Sequence, residues 1–352
     1  MDQDQYAFFQ KLVETIGPSG YEQAAQQVWR DRVQGSGVDV KTDAMGNVIA
    51  SLNADGRPRV MLDAHVDQIG FLVRYIDENG YIYWSPIGGF DPVTLAGNRV
   101  TIMGTGGPVL GVIGRKPIHL LEQEERKKAP QLKNLWIDIG ASSKEEAEKL
   151  LGIGDAGGRE SRMQRLQGSL VTAAGLDDRV GCYMVAETFR NLTAGRPSAA
   201  VFAASTVQEE IGLRGARAAA YEINPDVAVA LEVTWTSDHP ESSKTELGEI
   251  KVGAGPVIFR GANTNPKVFE RLVAAARAAG APYQVDALPG GTPTDENVIQ
   301  TERGGVATGL MSVPTRYLHT NSELLSTDDV DAAVAILTRF VQDLGSDSDF
   351  TP

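Results

Sequence analysis

The chain reads as an α/β protein with a central mixed sheet flanked by helices and a small all-β unit set into it. Three observations predict this. Short apolar runs rich in Val and Ala, at 199–204 and 226–233, have the texture of strands buried on both faces, and helical patterns lie between and around them. From about residue 70 to 139 the texture changes to brief β-rich runs cut by Gly, Pro and Asn, the signature of a small barrel or sandwich. After about residue 167 the alternation of strand and helix resumes. One α/β domain made of 1–69 and 168–352 would therefore enclose an all-β insert at 70–167.

The elements follow in order. Residues 5–16 have helical periodicity and stop at Gly17-Pro18-Ser19-Gly20. A second amphipathic helix is expected over 21–32, then strands at 47–52 and 59–62, the latter leading into Asp63-Ala64-His65-Val66-Asp67. In the insert, strands are expected at 71–76, 81–84, 99–103, 109–113 and 135–139. Helices are expected at 178–191, 266–279, 296–303 and 327–344, the last opened by Ser326 or Thr327 ahead of Asp328 and Asp329.

A chain of 352 residues can bury a large core, and a charged fraction of 22% is ordinary for a soluble protein. The net charge of -13 argues against nucleic acid or an anionic membrane as partner and suits a protein that carries cations. A single cysteine, Cys182, excludes an intrachain disulfide and points to a reducing compartment; its apolar helical setting gives it a packing role. The first residues lack the basic and apolar regions of a secretory signal, and no apolar run reaches the ~20 residues of a membrane span. These features predict a cytoplasmic protein.

The adjacent acids Glu209 and Glu210 stand at the end of an apolar strand pattern and just before a glycine turn. Two carboxylates beside a low-dielectric core repel each other and are costly to hold unless a cation is near. His65 follows a strand, with Asp67 on the same strand face. In Gly175-Leu176-Asp177-Asp178-Arg179 one acid suffices to cap the helix, which leaves the other over. Glu232 interrupts an apolar strand, where an unpaired carboxylate would be strongly penalised. His319 ends another apolar run, with Glu323 close enough in sequence to orient it. His119 in the insert and His239 in a polar loop are expected outside any site.

His65, Asp177, Glu210, Glu232 and His319 thus offer two imidazoles and three carboxylates, a mixed set that suits Zn²⁺, with Co²⁺ or Mn²⁺ as alternatives. Five side chains are too many for one catalytic ion and enough for two, leaving Glu209 free to move a proton.

The segments Ala64–Gly70, Leu176–Gly181, Thr206–Ala216, Thr294–Gln300 and Arg316–His319, in this order, resemble the dinuclear-metal aminopeptidases that include the tetrahedral, deblocking and glutamyl aminopeptidases. The resemblance spans nearly the whole chain. It implies that Asp177 bridges two metals, that His65 pairs with Glu232 on one and Glu210 with His319 on the other, that Glu209 is the general base and that Asp67 supports His65. It also implies that the insert is a dimerisation domain and that the protein forms homo-oligomers, as dimers or tetrahedral dodecamers. Two features depart from the family pattern: Glu stands at 232 where Asp is usual, and the 290–295 loop is longer.

The expected activity is removal of the N-terminal residue from peptides with a free amino terminus, through water held between two divalent metals. Cleavage of blocked substrates or of C-terminal residues at the same centre is the competing enzymatic reading, and a silent peptide-binding or assembly subunit is the non-enzymatic one. Arg260 and Arg316 are the candidate cations for a substrate pocket.

Overall fold

The computed structural model describes residues 1–35, 37–195 and 197–352. Numbered in chain order, the first strands are β1 (Asp39–Thr42), β2 (Val48–Leu52) and β3 (Arg59–His65). They are followed by β4 (Gly70–Ile76), β5 (Ile82–Ile87), β6 (Arg99–Gly104), β7 (Gly107–Gly114), β8 (Trp136–Asp138) and β9 (Ala156–Arg159). The rest are β10 (Gln164–Arg165), β11 (Leu170–Ala173), β12 (Ala200–Thr206), β13 (Val227–Thr234), β14 (Val257–Gly261), β15 (Gln284–Leu288), β16 (Ala307–Pro314) and β17 (Glu323–Ser326).

Eight of these form one mixed sheet in the order β1-β2-β12-β3-β13-β16-β14-β15. The four central strands β12, β3, β13 and β16 are mutually parallel, so their carboxyl ends open on the same edge. Open α/β sheets bind ligands at that edge. Helices Gln3–Glu14, Gln23–Val33, Leu176–Gly195, Pro266–Ala279 and Thr327–Gln342 cover one face, burying Phe9, Trp29, Tyr183, Phe189 and Phe340. Arg214–Ile223 and Glu296–Ile299 cover the other through Ala216, Ala219, Ala220 and Ile299. The largely apolar texture of β12 and β13 is explained by burial on both faces over most of their length.

The β-rich region closes into a barrel in the order β4-β5-β8-β7-β6-β9, with its own core around Phe71, Val100, Ile102 and Ile137. Its closing strand β9, Ala-Gly-Gly-Arg, carries no strand signal in sequence. A Cβ at Gly157 would lie 2.5 Å from the Phe71 ring and 2.7 Å from the Thr101 carbonyl oxygen, so close approach rather than β propensity selects glycine there. A small sheet, β10-β11-β17, leads the chain back to the main domain.

The helix expected at 5–16 begins earlier, at Gln3, because Asp2 accepts from the Gln5 backbone N–H while the Gln5 side chain accepts from Asp2 N–H. The helix expected at 296–303 covers only Glu296–Ile299, since Gly304-Gly305 turns the chain into β16. Ser326 is the cap of the last helix, accepting from Asp328 N–H at 3.2 Å.

Candidate metal centre and active site

The carboxyl-end edge of the parallel strands gathers six of the residues singled out in sequence. His65 is the last residue of β3, Glu232 lies near the end of β13, and Glu209 and Glu210 follow β12. His319 sits in the turn between β16 and β17. Asp177 and Asp178 divide their roles as their chemistry allows. Asp178 accepts from Gly181 N–H at 3.0 Å and caps the helix, while Asp177, in extended backbone, is free to face the site.

Asp177 lies between the two imidazoles, with Oδ1 3.3 Å from His65 Nε2 and Oδ2 3.2 Å from His319 Nε2. On the His65 side, Glu209 Oε2 and Glu232 Oε1 each lie 3.7 Å from Nε2. On the His319 side, Glu210 Oε1 lies 3.6 Å from Nε2. His65, Glu209 and Glu232 form one set of donor atoms within 4.8 Å of one another, and Asp177, Glu210 and His319 form a second.

Asp67 is fully buried, and its carboxylate ties the site's loops together. It accepts from Ser19 Oγ at 2.6 Å, from Glu209 N–H at 3.0 Å and from Glu210 N–H at 3.2 Å, and lies 3.5 Å from His65 Nδ1. It therefore positions the two glutamates as much as the histidine. Glu323 meets His319 through the backbone, accepting from its N–H at 2.9 Å and from Asp177 N–H at 3.2 Å. The side chain of Ser19, which the sequence marks only as part of a helix stop, and that of Arg159, from β9, complete the surroundings. Arg159 Nη1 donates to the His319 carbonyl at 2.8 Å.

The electrostatics are those of crowded acids. Burial raises the Glu209 carboxyl to about 10, with His65 opposing and Glu232 reinforcing. Burial, then Asp177, raises Glu210 to about 8, and burial, then Asp178, holds Glu232 well above the ordinary range. For Asp177 burial is outweighed by hydrogen bonds from His319 and His65, which hold it well below that range. The Asp177 bond raises His319 to about 9 against burial. His65 is raised despite burial by Glu209 and Glu232. Carboxylates and imidazoles so arranged fit divalent cations, which would relieve the mutual repulsion of the acids and displace their protons.

Beside the cluster opens a cavity of about 580 Å³, lined by Trp235, Leu247, Phe259, Leu288 and Leu310 among others, with Glu246 and Asp286 as acids away from the cluster. Pro293 and Thr294 of the long 290–295 region, and Pro289 just before it, also line it. Neither expected pocket cation does. Arg316 is held by Asp238 at 2.6 and 2.9 Å, and Arg260 is exposed with its guanidinium over Phe269. His119 and His239 lie outside the site, as expected.

The architecture has counterparts among known proteins. The family model described as M42 glutamyl aminopeptidase matches residues 46–336. A lysyl aminopeptidase of Pyrococcus furiosus is 36% identical over 350 residues, covering 99% of each chain. The crystal structure of a TET aminopeptidase from Thaumarchaeota archaeon SCGC AB-539-E09 superposes with a TM-score of 0.92 at 32% identity, covering 97% of each chain. The TET1 peptidase of Pyrococcus horikoshii, described as assembling into a tetrahedron or a large octahedral shell, superposes with a TM-score of 0.87 at 31% identity, covering 97% of this chain and all of that one. The chain belongs to the M42 glutamyl aminopeptidase family and is an aminopeptidase.

Proposed function

We propose that the protein removes single residues from the free amino terminus of peptides, with His65, Glu232 and Asp177 holding one divalent ion and His319, Glu210 and Asp177 a second. The observation that carries this reading is Asp177, whose two carboxylate oxygens each face a different imidazole at 3.2–3.3 Å. The ions, Zn²⁺ or else Co²⁺ or Mn²⁺, would supply the Lewis acidity that makes water a nucleophile near neutral pH and polarises the scissile carbonyl. Glu209 then serves as the proton carrier: a carboxylate oxygen takes the proton from the attacking water and returns it to the departing amine. Asp67 keeps Glu209 and Glu210 at the mouth of β12 through their backbone N–H groups. Glu232 reaches one methylene further than the aspartate usual in the family, which sets this half of the centre apart.

The apolar walls of the cavity take the side chain of the departing residue. Phe259 and Asp286 are paired across β14 and β15, so Asp286 lies about 14 Å, three strand spacings, from the strand of Glu232. Among the described residues no Lys or Arg lines this cavity, which disfavours recognition of a C-terminal carboxylate. With Glu246 and Asp286 as its charges away from the cluster, the pocket favours Lys or Arg, in keeping with the lysyl aminopeptidase relative. We further assign the barrel as the contact between subunits of a homo-oligomer. It exposes Met103, Leu110, Val112, Ile118 and Leu120, and the TET1 relative assembles into shells. Among the described residues no helix is long and apolar enough to cross a membrane.

The test is mass spectrometry of short peptides, free and N-acetylated, incubated with metal-loaded protein. Stepwise loss from the amino terminus of free peptides alone, fastest for Lys or Arg, is expected. Cleavage of acetylated peptides or loss from the carboxyl end would overturn the substrate assignment.

A further inference from the structure

A buried cation beside the cluster comes from the barrel rather than from the α/β domain. Arg159 is the last residue of β9, is 6% exposed, and packs its guanidinium over Phe90 at 5.5 Å. It shares a cavity of about 10 Å³, room for roughly one water, with Asp177, Glu210, His319 and Glu323.

We propose that Arg159 is a positioning residue for His319: by holding the His319 carbonyl it fixes the turn that aims the imidazole at Asp177 and Glu210, so that its loss weakens the cation site built on His319 and spares the one built on His65. The inference rests on the ligand set proposed above.

The backbone is what makes the arginine necessary. His319 has φ +58° and Tyr317 φ +61°, left-handed values that a residue with a Cβ keeps only when its surroundings hold it. The two peptide groups of His319 are held from opposite sides, the N–H by Glu323 Oε1 at 2.9 Å and the carbonyl by Arg159 Nη1 at 2.8 Å. A Cβ at Gly89 of the barrel would lie 4.0 Å from His319 Nδ1, so the barrel also walls the far side of the ring. His65 needs no such device. It is the last residue of β3, in register with Thr206 of β12, and the ladder itself fixes it.

Charge and position pull in opposite directions here. A guanidinium near a divalent ion repels it, so an arginine acting only through charge would weaken binding, and its removal would tighten it. An arginine acting through geometry does the reverse, and the sign of the change separates the two.

The experiment is titration of Zn²⁺ into metal-stripped protein against a chelator of known affinity, for wild type, His319→Ala, Arg159→Met, Arg159→Lys and the Arg159→Met/His319→Ala double variant. Wild type should bind two ions and His319→Ala one. Arg159→Met should bind one ion with wild-type affinity and the other about 10–100-fold more weakly, the range for groups that orient metal ligands. Arg159→Lys, which keeps the charge and one donor, should lie between. The double variant should bind no worse than His319→Ala, because both changes act on one site. Unchanged or tighter binding of both ions by Arg159→Met, or equal weakening of both, overturns the inference. Two ions retained by His319→Ala would instead remove the ligand set beneath it. If Arg159→Met does not fold, Arg159→Lys alone decides: equal effects on the two sites, or none, refute the role.

Discussion

Stripping the metals from this protein should make its stability fall as the pH rises, and restoring them should remove that dependence. Glu210 has an ordinary value of 4.5 and is raised to about 8 in the fold, first by burial and then by Asp177. A carboxyl whose folded value is raised binds its proton more tightly folded than unfolded. The stability it confers is complete below 4.5 and lost as the pH climbs through 8. Over that interval one extra proton on the folded chain is worth about 1.4 kcal/mol for each pH unit. Between pH 6 and 8 Glu210 alone accounts for about 2 kcal/mol, its folded proton being half lost at the upper end, or roughly 3 °C for a chain of this size. Glu209, raised to about 10, and His319, raised to about 9, push the same way, since both also release protons as the pH rises through the folded values. Asp177 is lowered and titrates below this window. Cations displace the shared protons, so the dependence should vanish when the centre is loaded. The assay is thermal unfolding in chelator and in saturating Zn²⁺ at pH 6, 7 and 8. Comparing the two series at each pH cancels every titration outside the centre. The gap in Tm should widen with pH by about 3 °C or more. A gap that stays constant or narrows would mean that these acids are not protonated in the metal-free fold, and would refute the reasoning.

Three further outcomes follow from the geometry. Glu209→Gln should retain both ions by elemental analysis and lose about 10²-fold or more in kcat, because the amide cannot carry the proton; unchanged turnover would remove Glu209 as the base. Asp286→Asn should cut kcat/KM for N-terminal Lys roughly tenfold while leaving N-terminal Leu nearly unchanged, measured on matched peptides; an equal effect on both would show that Asp286 does not face the side chain. Gly215→Ala should cost about 1–3 kcal/mol in unfolding, since its Cβ would lie 2.3 Å from the Val207 carbonyl and 2.4 Å from Asn47 Oδ1 in the turn that carries Glu209 and Glu210; an unshifted Tm would contradict this packing.

How legible these residues are in sequence depends on how local their signals are. His65, Glu232 and the Glu209-Glu210 pair each mark the end of an apolar run, so a residue type out of keeping with its strand points to the sheet edge without any knowledge of the fold. The same logic leaves one acid of Asp177-Asp178 over, because a helix needs only one cap, but the fold decides that Asp178 is the cap. What supports these side chains is not local. The Ser19–Asp67 bond joins residues 48 apart and Arg159 meets His319 across 160 positions, and neither contact leaves a pattern in the chain. Strand β9 is hidden for a related reason: Gly157 answers to the ring of Phe71, its partner on the neighbouring strand β4, rather than to its own backbone preference. Arg260 and Arg316 mislead because the sequence shows a charge but not its partner, which for Arg316 is Asp238.

The chain leaves the main sheet for the barrel just after His65 and rejoins it at the helix headed by Asp177, two residues whose side chains lie 3.3 Å apart. Junctions whose two ends converge in this way are where chains tolerate insertions. This segment is nevertheless tied to its host, through the β11–β17 ladder and, on the role proposed above, through Arg159 to the turn that aims His319, so its excision would remove supports of the metal centre itself.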